Sequence, residues 1–375
     1  MSNLEELATQ PLPPADELAG RWVAQAHDHK ASDGEYQRIM SYLAFGKDFS
    51  DYMAHAIWTK DGGWGEKTLQ PYGPLPVTPG TSVLHYGQEV FEGLKAYRRA
   101  DNSLWLFRPA FNANRFNQSA RRLALPELPV EDFVGSCVDL VRQDERWVPS
   151  EDGATLYLRP FMYASEAFLG VHPAAEVTYL NIGSPSGSYF QGGFSPVSIY
   201  VSEDYHRAGP GGTGEAKTSG NYAASLQPQE IAYEKGYEQV CFLDGETNTY
   251  IDELGGMNVF VVYKDGHVAT PALTGCILEG GTRGAIKQLL AEEGVDVREE
   301  RIALQELLDD IKSGKISEFF ACGTAAVVTP IGKLGGEGFV VDVPTGPLTK
   351  HIHDRITDIQ WGRAEDTHGW CYRVK

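Results

Sequence analysis

Cysteine is sparse in this 375-residue chain: Cys137, Cys241, Cys276, Cys322 and Cys371 lie far apart, and no two form a CxxC pair. Such an odd, scattered set argues against a disulfide framework and fits reduced thiols in a cytosol. Long apolar runs are missing as well; none approaches the ~20 residues that a membrane-spanning helix needs. Residues 1–18 are acidic and contain proline, without the apolar stretch of a secretory signal. Positive charge is in deficit, with 32 Lys and Arg against 51 Asp and Glu and a formal net charge of −19. Nucleic acid and anionic membrane surfaces demand cationic surface, so neither is expected as a partner. A small anionic ligand is not excluded, because a few local arginines can hold one. HExxH and zinc-type Cys/His spacings are also missing, so His27-Asp28-His29 and His351-Ile352-His353 read as surface histidines and no metal is expected. The composition thus points to a soluble, cytoplasmic protein.

The chain is long enough to bury a sizeable core, and its length favours two domains. Residues 57–97 alternate short apolar runs with turns such as Lys60-Asp61-Gly62-Gly63, a strand-and-hairpin pattern. Ala113, Phe116, Ala120 and Leu123 recur at helical spacing, which predicts a helix over 108–123 closed by Pro126. A second helix is predicted over 130–143, and strands over 155–162 and 177–182. Gly183 to Phe194 is rich in Gly and Ser and contains Tyr189 and Phe190, which suits a connection that also covers something. This gives an N-terminal domain over 1–183, a loop over 184–196 and a C-terminal domain over 197–375. In the second half a helix is predicted over 223–236, with strands over 238–243, 249–253, 258–263, 267–270 and 318–321. Helices are predicted from Gly280-Gly281-Thr282 through 290 and over 304–311. The class is mixed α+β and α/β in both halves.

The chemistry concentrates in Gly209-Pro210-Gly211-Gly212-Thr213-Gly214-Glu215-Ala216-Lys217-Thr218. One lysine closes a glycine-rich loop. Such a loop can cradle phosphates, or it can hold an amine nucleophile that forms a Schiff base. The first reading is one residue short of a Walker A loop: the glycine required before the lysine is Ala216, and the preceding strand ends too early. The second reading requires a supporting cast. Pyridoxal phosphate needs phosphate donors at a helix N-terminus, a cation, a hydroxyl for its phenolic oxygen and a carboxylate for its ring nitrogen. Gly281 and Thr282, Arg115, Tyr222 and Glu253 can supply these in turn. The glycines before Lys217 read as a flexible lead-in to it.

These segments, in this order, resemble the branched-chain amino-acid aminotransferases, a group of fold-type IV pyridoxal phosphate enzymes. The resemblance is carried by His85-Tyr86-Gly87-Gln88-Glu89-Val90-Phe91-Glu92-Gly93-Leu94-Lys95-Ala96-Tyr97, Leu106-Phe107-Arg108-Pro109, Tyr157-Leu158-Arg159-Pro160, Glu253 to Asn258, Gly280 to Arg283, and Gly323-Thr324-Ala325. It implies a small N-terminal and a larger C-terminal α/β domain with the cofactor in the cleft. Lys217 matches the cofactor-bonding lysine. Tyr222 matches the phenolic-oxygen partner and Glu253 the ring-nitrogen partner. Arg115, Gly281, Thr282 and Thr324 match the phosphate site. Tyr86, Arg159, Thr324 and Ala325 match residues at the substrate carboxylate, and Phe45, Phe91, Tyr157 and Tyr189 match an apolar side-chain pocket. Val171 matches a residue lent by the partner of a homodimer. The implied reaction converts leucine, isoleucine or valine and 2-oxoglutarate into 2-oxo acids and glutamate. D-amino-acid aminotransferase and aminodeoxychorismate lyase share the fold and stand as alternatives, and a P-loop nucleotide-binding protein is the alternative from another class. The redox CxxC of some mammalian members is replaced here by Ala326 and Thr329, so thiol switching of that kind is not expected.

Overall fold

In the computed structural model, residues 3–187 and 194–375 are described. They form two compact units: Met1–Tyr189 with Ala216–Ser219 and Ile359–Lys375, and Phe190–Glu215 with Gly220–Asp358. The predicted loop position Tyr189 lies outside the described residues.

The first unit is built on one large sheet. Its strands run in the order Val23–Ala24, Thr68–Pro71, Tyr52–Thr59, Glu176–Ser186, Thr155–Ala164, Leu94–Arg98, Leu104–Phe107 and Cys371–Arg373, and Glu89–Phe91 pairs with Thr155–Ala164. Period-2 alternation divides the long central strand between two faces. Leu156, Leu158, Met162 and Ala164 point into a core with Phe116, Phe133, Val138 and Trp147 from the helical side. Helices Pro109–Arg122 and Val130–Gln143 cover that face, close to the ranges the apolar spacing predicts. Pro109 sits at the first helical position, where its missing N–H costs nothing. The odd-numbered residues Tyr157, Arg159, Phe161 and Tyr163 therefore emerge on the opposite face. Phe91 stands directly across from Phe161 and Glu89 across from Tyr163.

Two expectations shift in this unit. The strand predicted over 177–182 runs through Ser186, so the first residues assigned to the loop are paired with Thr155–Tyr157 instead. The last residues return to the first unit, because Cys371–Arg373 pairs antiparallel with Leu104–Phe107. A three-residue strand after a helix carries too short a pattern to reveal its partner.

The second unit holds a mixed sheet in the order Val297–Glu300, Val268–Pro271, Asn258–Tyr263, Ile316–Gly323, Val327–Gly336, Val197–Ser202, Gln239–Leu243, Tyr250–Leu254 and Ile302–Ala303. Asn258–Tyr263 is almost wholly apolar and β-branched or aromatic, as a strand buried on both faces must be. Helices Gly281–Glu292 and Leu304–Lys312 flank this unit's strands, and Leu307, Leu308 and Ile311 enter its core. The helix after the glycine loop begins at Ser219, four residues earlier than predicted. Thr218, Ser219 and Gly220 are weak helix formers, and their polarity hid the start. Among the described residues no helix is long and apolar enough to cross a membrane.

Candidate active site

Lys217 belongs to the first unit through its main chain. Its N–H donates to Ser119 Oγ at 2.9 Å, and its carbonyl accepts the Phe91 N–H at 3.0 Å. The Thr218 hydroxyl donates to the Glu89 carbonyl at 2.7 Å, and the Ser219 N–H to Glu89 Oε2 at 2.9 Å. The lysine is thus an extra extended segment docked on strand Glu89–Phe91. Its Nζ stands 4.7 Å from the centroid of the Phe91 ring. The Arg159 guanidinium lies 4.9 Å from the same centroid and 5.4 Å from that of Tyr157. Arg159 also donates to the Tyr157 hydroxyl at 3.3 Å, and Phe45 meets Tyr157 edge-on at 4.9 Å. An added Cβ at Gly93 would collide with the Tyr157 hydroxyl, so glycine is what seats this tyrosine. Lys217, Phe91, Arg159, Tyr157 and Phe45 therefore form one cluster of an amine, a guanidinium and three aromatic rings. The Arg159 Nε is buried without a hydrogen-bond partner. A guanidinium N–H in that condition is suited to an anionic ligand.

The other predicted residues of this unit have different neighbours. Arg115 is 4% exposed and donates from Nε to Glu92 Oε1 at 2.7 Å and from Nη2 to Glu92 Oε2 at 2.8 Å. Asn112 Nδ2 also donates to Glu92 Oε2 at 2.7 Å. The fork fixes the guanidinium plane and leaves the charge of Arg115 balanced within the protein. Tyr86 donates its hydroxyl to the Leu169 carbonyl at 2.5 Å. Val171, two residues further on, is 88% exposed.

In the second unit Glu253 is buried on strand Tyr250–Leu254. Its Oε1 pairs with Arg207 Nη1 at 2.8 Å and accepts the Leu278 N–H at 2.8 Å. Asn258 Nδ2 donates to the Leu278 carbonyl at 2.9 Å and reaches Glu253 Oε2 at 3.4 Å. Just beyond Leu278, Gly280 caps the helix Gly281–Glu292, and a Cβ there would strike Asn258 Oδ1. A buried carboxylate and a helix N-terminus carrying Gly281 and Thr282 are thereby joined in one cradle. Thr324 and Ala325 form the turn between strands Ile316–Gly323 and Val327–Gly336, and Tyr222 is half-buried on helix Ser219–Glu234. Cys322 is buried and its thiol is pushed up to about 12 by burial, the behaviour of an inert structural thiol.

The glycine nearest Lys217 has a packing role of its own. Gly214 packs on the Cys276 backbone so closely that a Cβ would overlap it. Arg207 Nη1 donates to the Gly214 and Cys276 carbonyls at 3.2 and 3.0 Å. The Gly212 N–H goes to the Gly209 carbonyl and the Glu215 N–H to the Gly275 carbonyl. Those two N–H groups and that of Lys217 are thus spent on protein and are not turned to a phosphate. Arg207 and Ser119 carry no pattern that sequence reading could single out, and Glu92 and Asn258 lie in segments that carry the resemblance without a role read for either; only the fold brings all four to their partners. Arg207→Met removes the cation that pairs with the buried Glu253 carboxylate. We expect a loss of stability of about 3 kcal/mol in urea unfolding.

Each unit by itself carries groups of a kind that pyridoxal phosphate uses: the first an amine on an aromatic ring, the second a helix N-terminus beside a buried carboxylate. The family model described as Amino-transferase class IV matches residues 89–334. The chain belongs to the class IV aminotransferases. A probable branched-chain-amino-acid aminotransferase of Streptomyces coelicolor is 49% identical over 350 residues, 92% of this chain and 96% of that one. Among solved structures, the Escherichia coli branched-chain amino acid aminotransferase aligns with a TM-score of 0.72 at 29% identity, covering 86% of this chain and all of that one. The branched-chain amino acid aminotransferase of T.th., solved in complex with N-(5'-phosphopyridoxyl)-L-glutamate, gives a TM-score of 0.68 at 26% identity, covering 86% of this chain and 99% of that one. As a class IV aminotransferase, the chain carries its family match across both units.

Proposed function

We propose that this class IV aminotransferase moves the amino group of leucine, isoleucine or valine to 2-oxoglutarate, with pyridoxal phosphate as its cofactor. One observation carries the reading: the Lys217 amine and the Arg159 guanidinium flank the same Phe91 ring, 4.7 and 4.9 Å from its centroid. An amino acid presents its α-carbon and a carboxylate within a comparable span.

Lys217 would hold the cofactor covalently through Nζ, Glu253 would meet its ring nitrogen, and Tyr222 its phenolic oxygen. Gly281, Thr282 and Thr324 would hold the phosphate with Arg115. When bound, the cofactor supplies the electron sink for negative charge at the substrate α-carbon. The Lys217 amine is the group that takes the α-proton and gives it back, and ping-pong kinetics follow from two half-reactions at one amine. Glu253 keeps its charge in place because Arg207 and the Leu278 N–H hold one oxygen. Arg159 and Tyr86 meet substrate carboxylate together with the Thr324–Ala325 backbone. Phe45, Phe91 and Tyr157 wall the space for a branched side chain, where apolar area is worth roughly 25 cal/mol per Å².

A cytoplasmic homodimer belongs to the same proposal. Leu84, Leu169 and Val171 are 60%, 73% and 88% exposed, and Tyr86 binds the Leu169 carbonyl among them. An apolar surface of this kind suits a subunit contact that brings Val171 to the neighbouring site.

The test is an amino-donor panel with 2-oxoglutarate as acceptor and glutamate as readout. L-leucine, L-isoleucine and L-valine should be the strongest donors and their D-enantiomers inactive. Turnover of D-amino acids with none of the branched L-amino acids contradicts the proposal.

A further inference from the structure

Helix Pro109–Arg122 carries two buried stripes. Ala113, Phe116 and Ala120 enter the core, as their spacing predicts. Asn112, Arg115 and Ser119 also recur at helical spacing, yet all three are polar and buried. A polar stripe at such depth requires hydrogen-bond partners. Asn112 and Arg115 find theirs in the Glu92 carboxylate. Ser119, fully buried, accepts the main-chain N–H of Lys217 at 2.9 Å. Glu92 follows Phe91, whose N–H donates to the Lys217 carbonyl. One face of one helix therefore holds both the Arg115 guanidinium, through Glu92, and the segment that carries the Lys217 amine.

Pyridoxal phosphate bears its aldehyde and its phosphate arm on adjacent ring carbons. A lysine amine condenses with that aldehyde and water leaves. The amine and the cation that holds the phosphate must then stand a short, fixed distance apart. Arg115 and Ser119 lie about one helical turn apart, a rise of about 6 Å along the axis. A side chain on a regular helix is placed more narrowly than one on a loop, so this helix can serve as the spacer between the two groups.

We propose that Ser119 is a positioning residue: its hydroxyl holds the Lys217 main chain, and with it the amine, at a set distance from Arg115 on the same helix. This rests on the reading of Lys217 as the amine that bonds the cofactor and of Arg115 as the cation at its phosphate. The Lys217 carbonyl, the Thr218 hydroxyl and the Ser219 N–H tie the segment to strand Glu89–Phe91, and the Lys217 N–H ties it to the helix. Without the Ser119 hydroxyl the strand-side bonds keep the segment docked. The Lys217 N–H, however, loses this acceptor in a buried place, and the segment shifts to recover one. The amine moves with it. A misplacement of about 1 Å costs about 10²-fold in rate.

The experiment uses the full chain freed of cofactor, as wild type, Ser119→Ala and Ser119→Thr. Each is titrated with pyridoxamine phosphate, which has the ring and the phosphate but no aldehyde and so cannot bond a lysine. Each is then mixed with pyridoxal phosphate. The rate of lysine bonding is followed by visible absorbance, and borohydride reduction with peptide mapping locates the lysine. In Ser119→Ala, bonding at Lys217 should slow by about 10–100-fold while the affinity for pyridoxamine phosphate stays that of wild type. Threonine keeps the hydroxyl, so Ser119→Thr should bond at close to the wild-type rate. A structural role would weaken both cofactor forms together, and that result overturns the proposal. An unchanged bonding rate in Ser119→Ala, or a Ser119→Thr as slow as Ser119→Ala, overturns it too. Wild type that bonds pyridoxal phosphate at another lysine sinks the reading of Lys217 and this proposal with it. Bonding at Lys217 that ignores Ser119 removes Ser119 alone and leaves that reading in place.

Discussion

Lys217→Ala is expected to abolish transamination, with kcat falling by about 10⁴-fold or more, while the protein stays folded. The amine is asked to act as both nucleophile and proton carrier, and general acid–base catalysis alone contributes about 10²–10⁴-fold. The fold does not depend on that amine. The segment is anchored by its main chain, through the Ser119 hydroxyl and the Phe91 N–H, and alanine keeps both bonds. A thermal melt within a few degrees of wild type together with lost turnover is the expected pair of results. A variant that still produces glutamate from leucine would remove Lys217 from the mechanism.

The second large effect is expected at Glu253. Glu253→Gln should lower kcat by about 10–1,000-fold, the range in which an adjacent opposite charge shifts a protonation equilibrium. Glutamine fits the same space and can still accept the Leu278 N–H and face Asn258. What it removes is the negative charge that the proposed function sets opposite the cofactor's ring nitrogen. Arg207 then loses its ionic partner, so a lower unfolding midpoint accompanies the loss of rate. Measured with saturating cofactor, kcat should fall much more than the affinity for leucine. Full turnover in Glu253→Gln would show that another group meets the ring nitrogen.

Much of this architecture is legible from spacing alone. Apolar residues at 113, 116 and 120 declare a helix, and the valines and aromatics of Asn258–Tyr263 declare a buried strand. Polar residues that act through pairs are not legible in the same way. Arg207 precedes Glu253 by a long stretch of chain, and Glu92 precedes Arg115 by two strands and half a helix. Neither pair has a spacing rule, because the fold and not the helix or strand period brings them together. The packing of the glycine loop is illegible for a related reason. Composition records that Cβ atoms are absent but not why, and at Gly214 the reason is the close approach of Cys276. Substrate-face residues lay between these extremes. Alternation in Thr155–Ala164 places Tyr157 and Arg159 on one face, but only register shows that Phe91 and Glu89 share it.

Register also supplies the strongest rival to Lys217. Lys95 stands across from Tyr157, and burial pushes its ammonium down to about 8, so it is a second amine with nucleophilic character in this unit. The most direct test of the central claim separates the two. Holoenzyme is reduced with borohydride, digested, and searched by mass spectrometry for the lysine that carries the pyridoxyl group. The account predicts stoichiometric label on Lys217, with activity lost in proportion. Label on Lys95 or any other lysine, with Lys217 unmodified, would contradict it.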